Sequence, residues 1–174
     1  MRLPVFPNWY PYNDMLLDGH LRVGDYGVKT RSYDWDYRGP VLLYNSGRTA
    51  WHCVNVYDYP RGGEHHGIIV GVADLVLVRE LTERELLKME CNFNNLTLRQ
   101  VKADSTLSRV WPYPFGYFFV NTKRFRKHVP FNWPPGPVKP IYTNIRSNSL
   151  LGQQLATAPG RWEQSAIDCG LMRA

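Results

Sequence analysis

Cysteine is scarce in this chain. The three present, Cys53, Cys91 and Cys169, are odd in number and widely spaced, which argues against a disulfide framework and against a zinc cluster. No apolar run approaches the ~20 residues that a membrane-spanning helix needs. There is no internal repeat, no low-complexity block and no strand–helix–strand rhythm of a layered α/β sheet. The first segment, MRLPVFPNWYPYND, carries two charges and three prolines and has the pattern of neither a signal nor a transit peptide. An intracellular, cytoplasmic setting is therefore expected, with a nuclear one left open. No cofactor and no metal is expected: His65 and His66 are adjacent, so on a strand they point to opposite faces, and His52-Cys53 adds no usable ligand spacing.

Acidic residues are also in the minority. The 174 residues hold 15 Asp and Glu against 21 Lys and Arg, a formal net charge of +6, with an isoelectric point near 9.3. Such an excess fits a polyanion, most often nucleic acid, although many small basic domains bind none. Aromatics make up 14% and prolines number 13, a composition that favours strands and fixed turns over long helices.

The pattern along the chain agrees. Residues 13–19 read as a short helix capped by Asn13 or Asp14 and ended by Gly19. Residues 20–27 read as loop or irregular strand edge, and 28–33 as a short strand. Tyr37-Arg38-Gly39 forms a turn, and Pro40 opens a strand over 41–45. Residues 46–66 form a polar, glycine-rich connection. The run GIIVGVADLVLV at 67–78 is a strand covered on both faces, with Gly71 marking a bulge. Thr82 and Glu85 make a capping box at a helix start. Residues 92–110 are a second short helix or a loop, and 115–120 are a strand. Residues 121–128 read as a basic turn or short helix, 138–145 as a closing strand and 147–156 as a helix. The expected fold is α+β and mostly β, a small mixed β-barrel flanked by short helices.

The segments TRSYDWDYRGPVLLY and HGIIVGVADLVLV, followed by the capped helix, FGYFFV and RFRKHVPFNWPPGPVKPIY, resemble the ASCH domain family of the PUA-like superfamily. The resemblance runs from about Pro11 to Ile145. It implies a PUA-like ASCH-type domain over residues 1–146 and a C-terminal extension over 147–174, helical or poorly ordered. It also implies binding of RNA or another nucleic acid in a cleft beside the barrel. Some members of the family are enzymes, similar to amidohydrolases acting on N-acylated cytidine, and ribonuclease activity is proposed for others. The family motif is Gly-x-Lys-x-x-Glu-x-Arg. With Arg31 at its arginine, Gly24 takes the glycine, Tyr26 the lysine position and Lys29 the glutamate position, so two polar positions are altered. A second register uses Gly27-Val28-Lys29 with Ser32 and keeps a lysine–hydroxyl pair.

Lys29, Arg31 and Tyr33 share one face of an alternating strand, a strip able to hold phosphate and stack a base. The alternative is a solvated edge strand protected by its charges. Tyr26 and Trp35 are the stacking candidates, set against packing at the barrel rim. Arg38 joins the binding set. Lys123, Arg124 and Arg126, in a run with Lys127, are further phosphate contacts, or a solvated loop anchored by Phe125. Catalysis on an acylated base needs a nucleophilic water, a general base and a cation for the developing oxyanion, and the candidates are Lys29 with Ser32 or Thr30, plus an acid such as Glu90. The leading expectation is a nucleic-acid-binding module for RNA or single strands. A hydrolase acting on a modified nucleoside or on RNA is the alternative, and a protein-interaction adaptor the third.

Overall fold

The computed structural model describes residues 1–82, 84–85, 115–135 and 139–157. Strands β1 (Arg2–Tyr10), β2 (Arg22–Val23), β3 (Tyr26–Arg31), β4 (Gly39–Thr49), β5 (Ile68–Glu80), β6 (Phe115–Pro130) and β7 (Ile141–Asn144) form one mixed sheet in the order β2-β3-β6-β5-β4-β1-β7. Short helices among the described residues accompany it: α1 (Tyr12–Leu17), α2 (Trp51–Val56) and α3 (Leu150–Thr157). The β1–β4 pair is parallel, and the other described pairs are antiparallel. The chain is thus mostly β with a few short helices, as its turns and alternation imply. Among the described residues no helix is long and apolar enough to cross a membrane.

Period-2 alternation sorts the core into two layers. Val41 and Leu43 of β4 point inward with Phe6, Val70, Ala73, Leu75, Tyr117 and Phe119, beneath Met15 and Leu16 of α1 and Cys53 of α2. Leu42 and Tyr44 point the other way, with Leu3, Val5, Ile69, Val72, Phe125 and Leu151 and Leu155 of α3. Among the described residues the sheet is not closed by strand pairing between its ends, yet it curls. Three strand spacings separate β6 from β1, roughly 14 Å in a flat sheet. The Phe6 ring of β1 nevertheless lies 5.4 Å from both Tyr117 and Phe119 of β6. Register shifts in β5–β6 and β4–β5 supply the bends.

Several expectations need correction. Residues 121–128 are not a turn or helix but the second half of β6. There Ile69 pairs with Val129 while Gly71 pairs with Arg124 and Val72 with Lys123, so a bulge over 125–128 carries Arg126 and Lys127 next to the paired Lys123 and Arg124. Phe125 is buried inside it at 3% exposure, and α3 seals its backbone where Lys127 N donates to Gln154 Oε1 at 2.8 Å. The connection at 46–66 contains the end of β4, α2 and a 3₁₀ turn at Gly63–His65. Asn13 and Asp14 lie inside α1 and are buried, and the cap position is Pro11. β1 had no sequence signal, because Pro4 and Pro7 argue against a strand with neighbours on both sides. The structure accommodates Pro7 where β7 has already ended, since β7 pairs only with Arg2 through Val5. The Thr82–Glu85 capping box is present: Glu85 N donates to Thr82 Oγ1 at 3.3 Å and Thr82 N to Glu85 Oε2 at 2.9 Å. Arg79 clamps the same carboxylate and, with Thr82, holds it down at about 2. The expected second helix at 92–110 lies outside the described residues.

Candidate functional site

The alternation of β3 decides which candidates meet. Gly27, Lys29 and Arg31 face the inner layer, with Gly27 under the Leu16 side chain. Tyr26 and Val28 face the other way, Val28 in a cluster with Leu81 and Phe118 and the Tyr26 ring edge-on to Phe118 at 5.9 Å. The structure therefore separates Tyr26 from Lys29 and Arg31.

Lys29 is half-buried, and its Nζ sits 3.3 Å from the centroid of the Tyr12 ring. Burial first, and the positive charge of Arg31 second, push it from 10.5 down to about 7. At neutral pH this amine is shared between its charged and neutral forms. The nearby Cys53 thiol is pushed up to about 11 by burial, against a hydrogen bond with Tyr12 and the charge of Lys29.

Arg31 does something the sequence does not announce. Four strand spacings, roughly 19 Å in a flat sheet, separate β3 from β1. In the curled sheet the Arg31 guanidinium donates across the gap to the Pro7 carbonyl and, at 2.6 Å, to Asn8 Oδ1, while lying 4.5 Å over the Phe6 ring. Asn8, only 3% exposed, passes the contact on to Asn13 Oδ1. Arg31 thus bridges the open seam of the barrel through its side chain.

The segment 32–38 fills the rest of that seam. Trp35 stacks on Tyr37 at 4.9 Å and runs parallel to Phe6 at 6.3 Å. Tyr117 Oη donates to the Tyr33 carbonyl at 2.8 Å. Arg38 donates to the carbonyls of Trp35, Tyr37 and, at 3.2 Å, Val78, which staples the segment to β5. Ser32, Asp34 and Asp36 are exposed.

Arg124 is turned inward to α1, where it pairs with Asp14 and, at 2.9 Å, with Asp18. Asp14 also accepts from Asn45 Nδ2 at 2.7 Å. Lys123 and Arg126 stand exposed on β6, with Lys127 and His128. Glu90 lies outside the described residues. Thus Lys29, Arg31, Trp35 and Arg38 gather along one seam, while Lys123 and Arg126 lie apart on β6, beside and within its bulge. Sequence reasoning missed Tyr12, Phe6, Asn8 and Cys53. Only the crowding of polar and aromatic residues in FPNWYPYND hinted at the first three, and nothing hinted at Cys53.

The histidines that looked available are held elsewhere. His65 stacks on Tyr10 at 4.9 Å, and His66 Nε2 is 2.7 Å from Thr49 Oγ1. Among the described residues no group of three or more His, Cys, Asp and Glu could hold a metal ion. A polar groove of about 290 Å³ opens beside α1, lined by Asp18, Arg22, Asp25 and Asn121.

No protein-family model and no curated protein matches the chain. Among solved structures it is similar to the crystal structure of ASCH from Zymomonas mobilis, at 12% identity over 88% of this chain and 93% of that one, with a TM-score of 0.46. Two single-residue mutants of the same Zymomonas mobilis protein match over 88% of this chain, at 12% and 11% identity with TM-scores of 0.46 and 0.45. They cover 94% and 96% of those chains.

Proposed function

We propose that this chain binds unpaired nucleic acid, RNA or another single strand, at the seam between β3 and β1. The observation that carries the reading is Lys29. Its ammonium sits against the Tyr12 ring and beside a second cation, Arg31, where burial and like charge both disfavour the charged form. An approaching phosphate would relieve that repulsion, and unpaired bases are held by stacking and polar edge contacts of the kind that an aromatic seam edge supplies. The net charge of +6 and the exposed Lys123 and Arg126 would draw a polyanion toward the molecule.

Anisotropy of labelled single-stranded RNA across a salt series, with DNA and duplex competitors, tests this. Saturable binding whose log affinity falls linearly with log salt is expected. No binding at low salt would remove the reading and direct attention to protein partners.

One observation favours a second reading, a hydrolase acting on a modified nucleoside or on RNA. An amine poised at about 7 suits a general base, which works best near the ambient pH. Neutral Lys29 would take a proton from the attacking water or hydroxyl, and the fixed charge of Arg31 would stabilise the oxyanion. Turnover rising with pH through about 7 and lost in Lys29→Met is expected from it. A clean preparation inactive on N-acylated cytidine and on single-stranded RNA would count against it.

A further inference from the structure

The aromatic seam does not stop at Tyr37. The Tyr37 ring meets Tyr142 of β7 edge-on at 6.3 Å, and Tyr142 is 43% exposed. From Phe6 through Trp35 and Tyr37 to Tyr142, the rings lead from the Arg31 contact out to the last strand of the sheet. Two further cations lie along this path, Arg2 at the outer ring and Lys139 over Tyr33. The Arg2 guanidinium lies 5.1 Å over Tyr142, and Lys139 Nζ lies 5.8 Å over the Tyr33 ring. Both residues are exposed, and among the described residues no ion pair engages either of them.

We infer that Tyr142, with Arg2 over its ring and Lys139 over Tyr33 further along the seam, is a second subsite that takes a neighbouring nucleotide of the same single strand. Tyr142 would stack the base, and the two cations would contact the phosphates on either side. The geometry suits this occupant for three reasons. The platform is continuous with the seam where Lys29 sits, the charge is complementary to phosphate, and the ring at the end of the column is exposed where Trp35 and Tyr37 are half-buried. A base–aromatic stack tolerates any base, because every base has a π-face. This inference rests on the reading of the seam as a nucleic-acid site.

The test uses a fluorescein-labelled oligouridylate 12-mer, with uridine 5′-monophosphate as a competitor that is too short to reach both subsites. Tyr142→Ala is expected to weaken the 12-mer by about tenfold, toward the lower end of a lost base stack, with competition by the monophosphate unchanged. Tyr142→Phe should bind as the parent does. Arg2→Gln with Lys139→Gln provides a second line should the alanine variant fold poorly, and should lower the salt slope by about 1.4, at ~0.7 per single-strand phosphate contact. Parent-like 12-mer binding by Tyr142→Ala, in a preparation where Lys29→Met weakens it, would overturn the subsite and leave the seam standing. Equal losses on the 12-mer and the monophosphate would also overturn it, since Tyr142 would then belong to the first pocket. A parent protein that binds no 12-mer at low salt would remove both.

Discussion

Lys29 and Lys123 carry the same ammonium on the same stem, yet one lies under the Tyr12 ring beside Arg31 and the other stands in water on β6. The contrast extends to their neighbourhoods. Around Lys29 the charges hold the structure, with Arg31 bridging β3 to β1 and Arg38 fastening the 32–38 segment. On the β6 bulge the structure holds the charges, because the buried Phe125 and the α3 glutamine fix the backbone from which the cations project. A desolvated cation interacts strongly and over a short range. A solvated one acts at a distance and is screened by salt. The two regions therefore suit different tasks, gripping at the seam and steering at the bulge.

The largest expected effect tests which side chain supports the bulge. Phe125→Ala should destabilise the fold by about 3–5 kcal/mol, as large-to-small changes of buried rings do. Arg126→Ala should stay within ~0.5 kcal/mol, as surface changes do. Denaturant midpoints measure both, and equal effects would erase the contrast. Next comes Arg31→Met, which strips a donor from Asn8 Oδ1 and from the Pro7 carbonyl, at a cost of about 2 kcal/mol. Thermal or urea unfolding checks it, and an unchanged midpoint would mean that the seam closes without Arg31.

A third effect is read against pH. Lys29 titrates near 7 in the fold and near 10.5 in a free chain. Below about 7 both states hold the proton and the fold bears the full cost of the buried charge. Between those values the unfolded chain keeps a proton that the fold has shed, so stability rises with pH. Lys29→Met should remove that rise, leaving a variant more stable than the parent at pH 6. Parallel stability–pH curves would contradict the burial argument. The smallest effect concerns steering. Lys123→Gln with Arg126→Gln should lower the salt slope of RNA binding by about 1.4, at ~0.7 per phosphate, with the melting temperature unchanged. A slope equal to that of the parent would mean that the bulge takes no part.

Much of the fold was legible because β4 and β5 have unbroken apolar runs and the Thr82–Glu85 box announces itself three residues apart. β1 was not, since Pro4 and Pro7 mask a strand that holds Pro7 beyond the end of β7 and Pro4 ahead of the β4 register, which begins at Val5. The bulge in β6 was not either, because an extra loop of residues leaves no period to read, although Phe125 as its anchor was. Of the site, the shared face of Lys29 and Arg31 followed from strand alternation alone. What lay beyond sequence was the curl. Only curling brings Phe6 and Asn8 of β1 to Arg31, and only curling turns a row of rings ahead of β4 into a seam.

The most direct measurement is the affinity for labelled single-stranded RNA between pH 6 and pH 8, in the parent and in Lys29→Met. If Lys29 grips phosphate in its charged form, parent affinity falls as pH passes about 7, and the variant binds more weakly with that fall removed. Superimposable profiles of equal affinity would contradict the account, because the buried lysine would then have no part in binding.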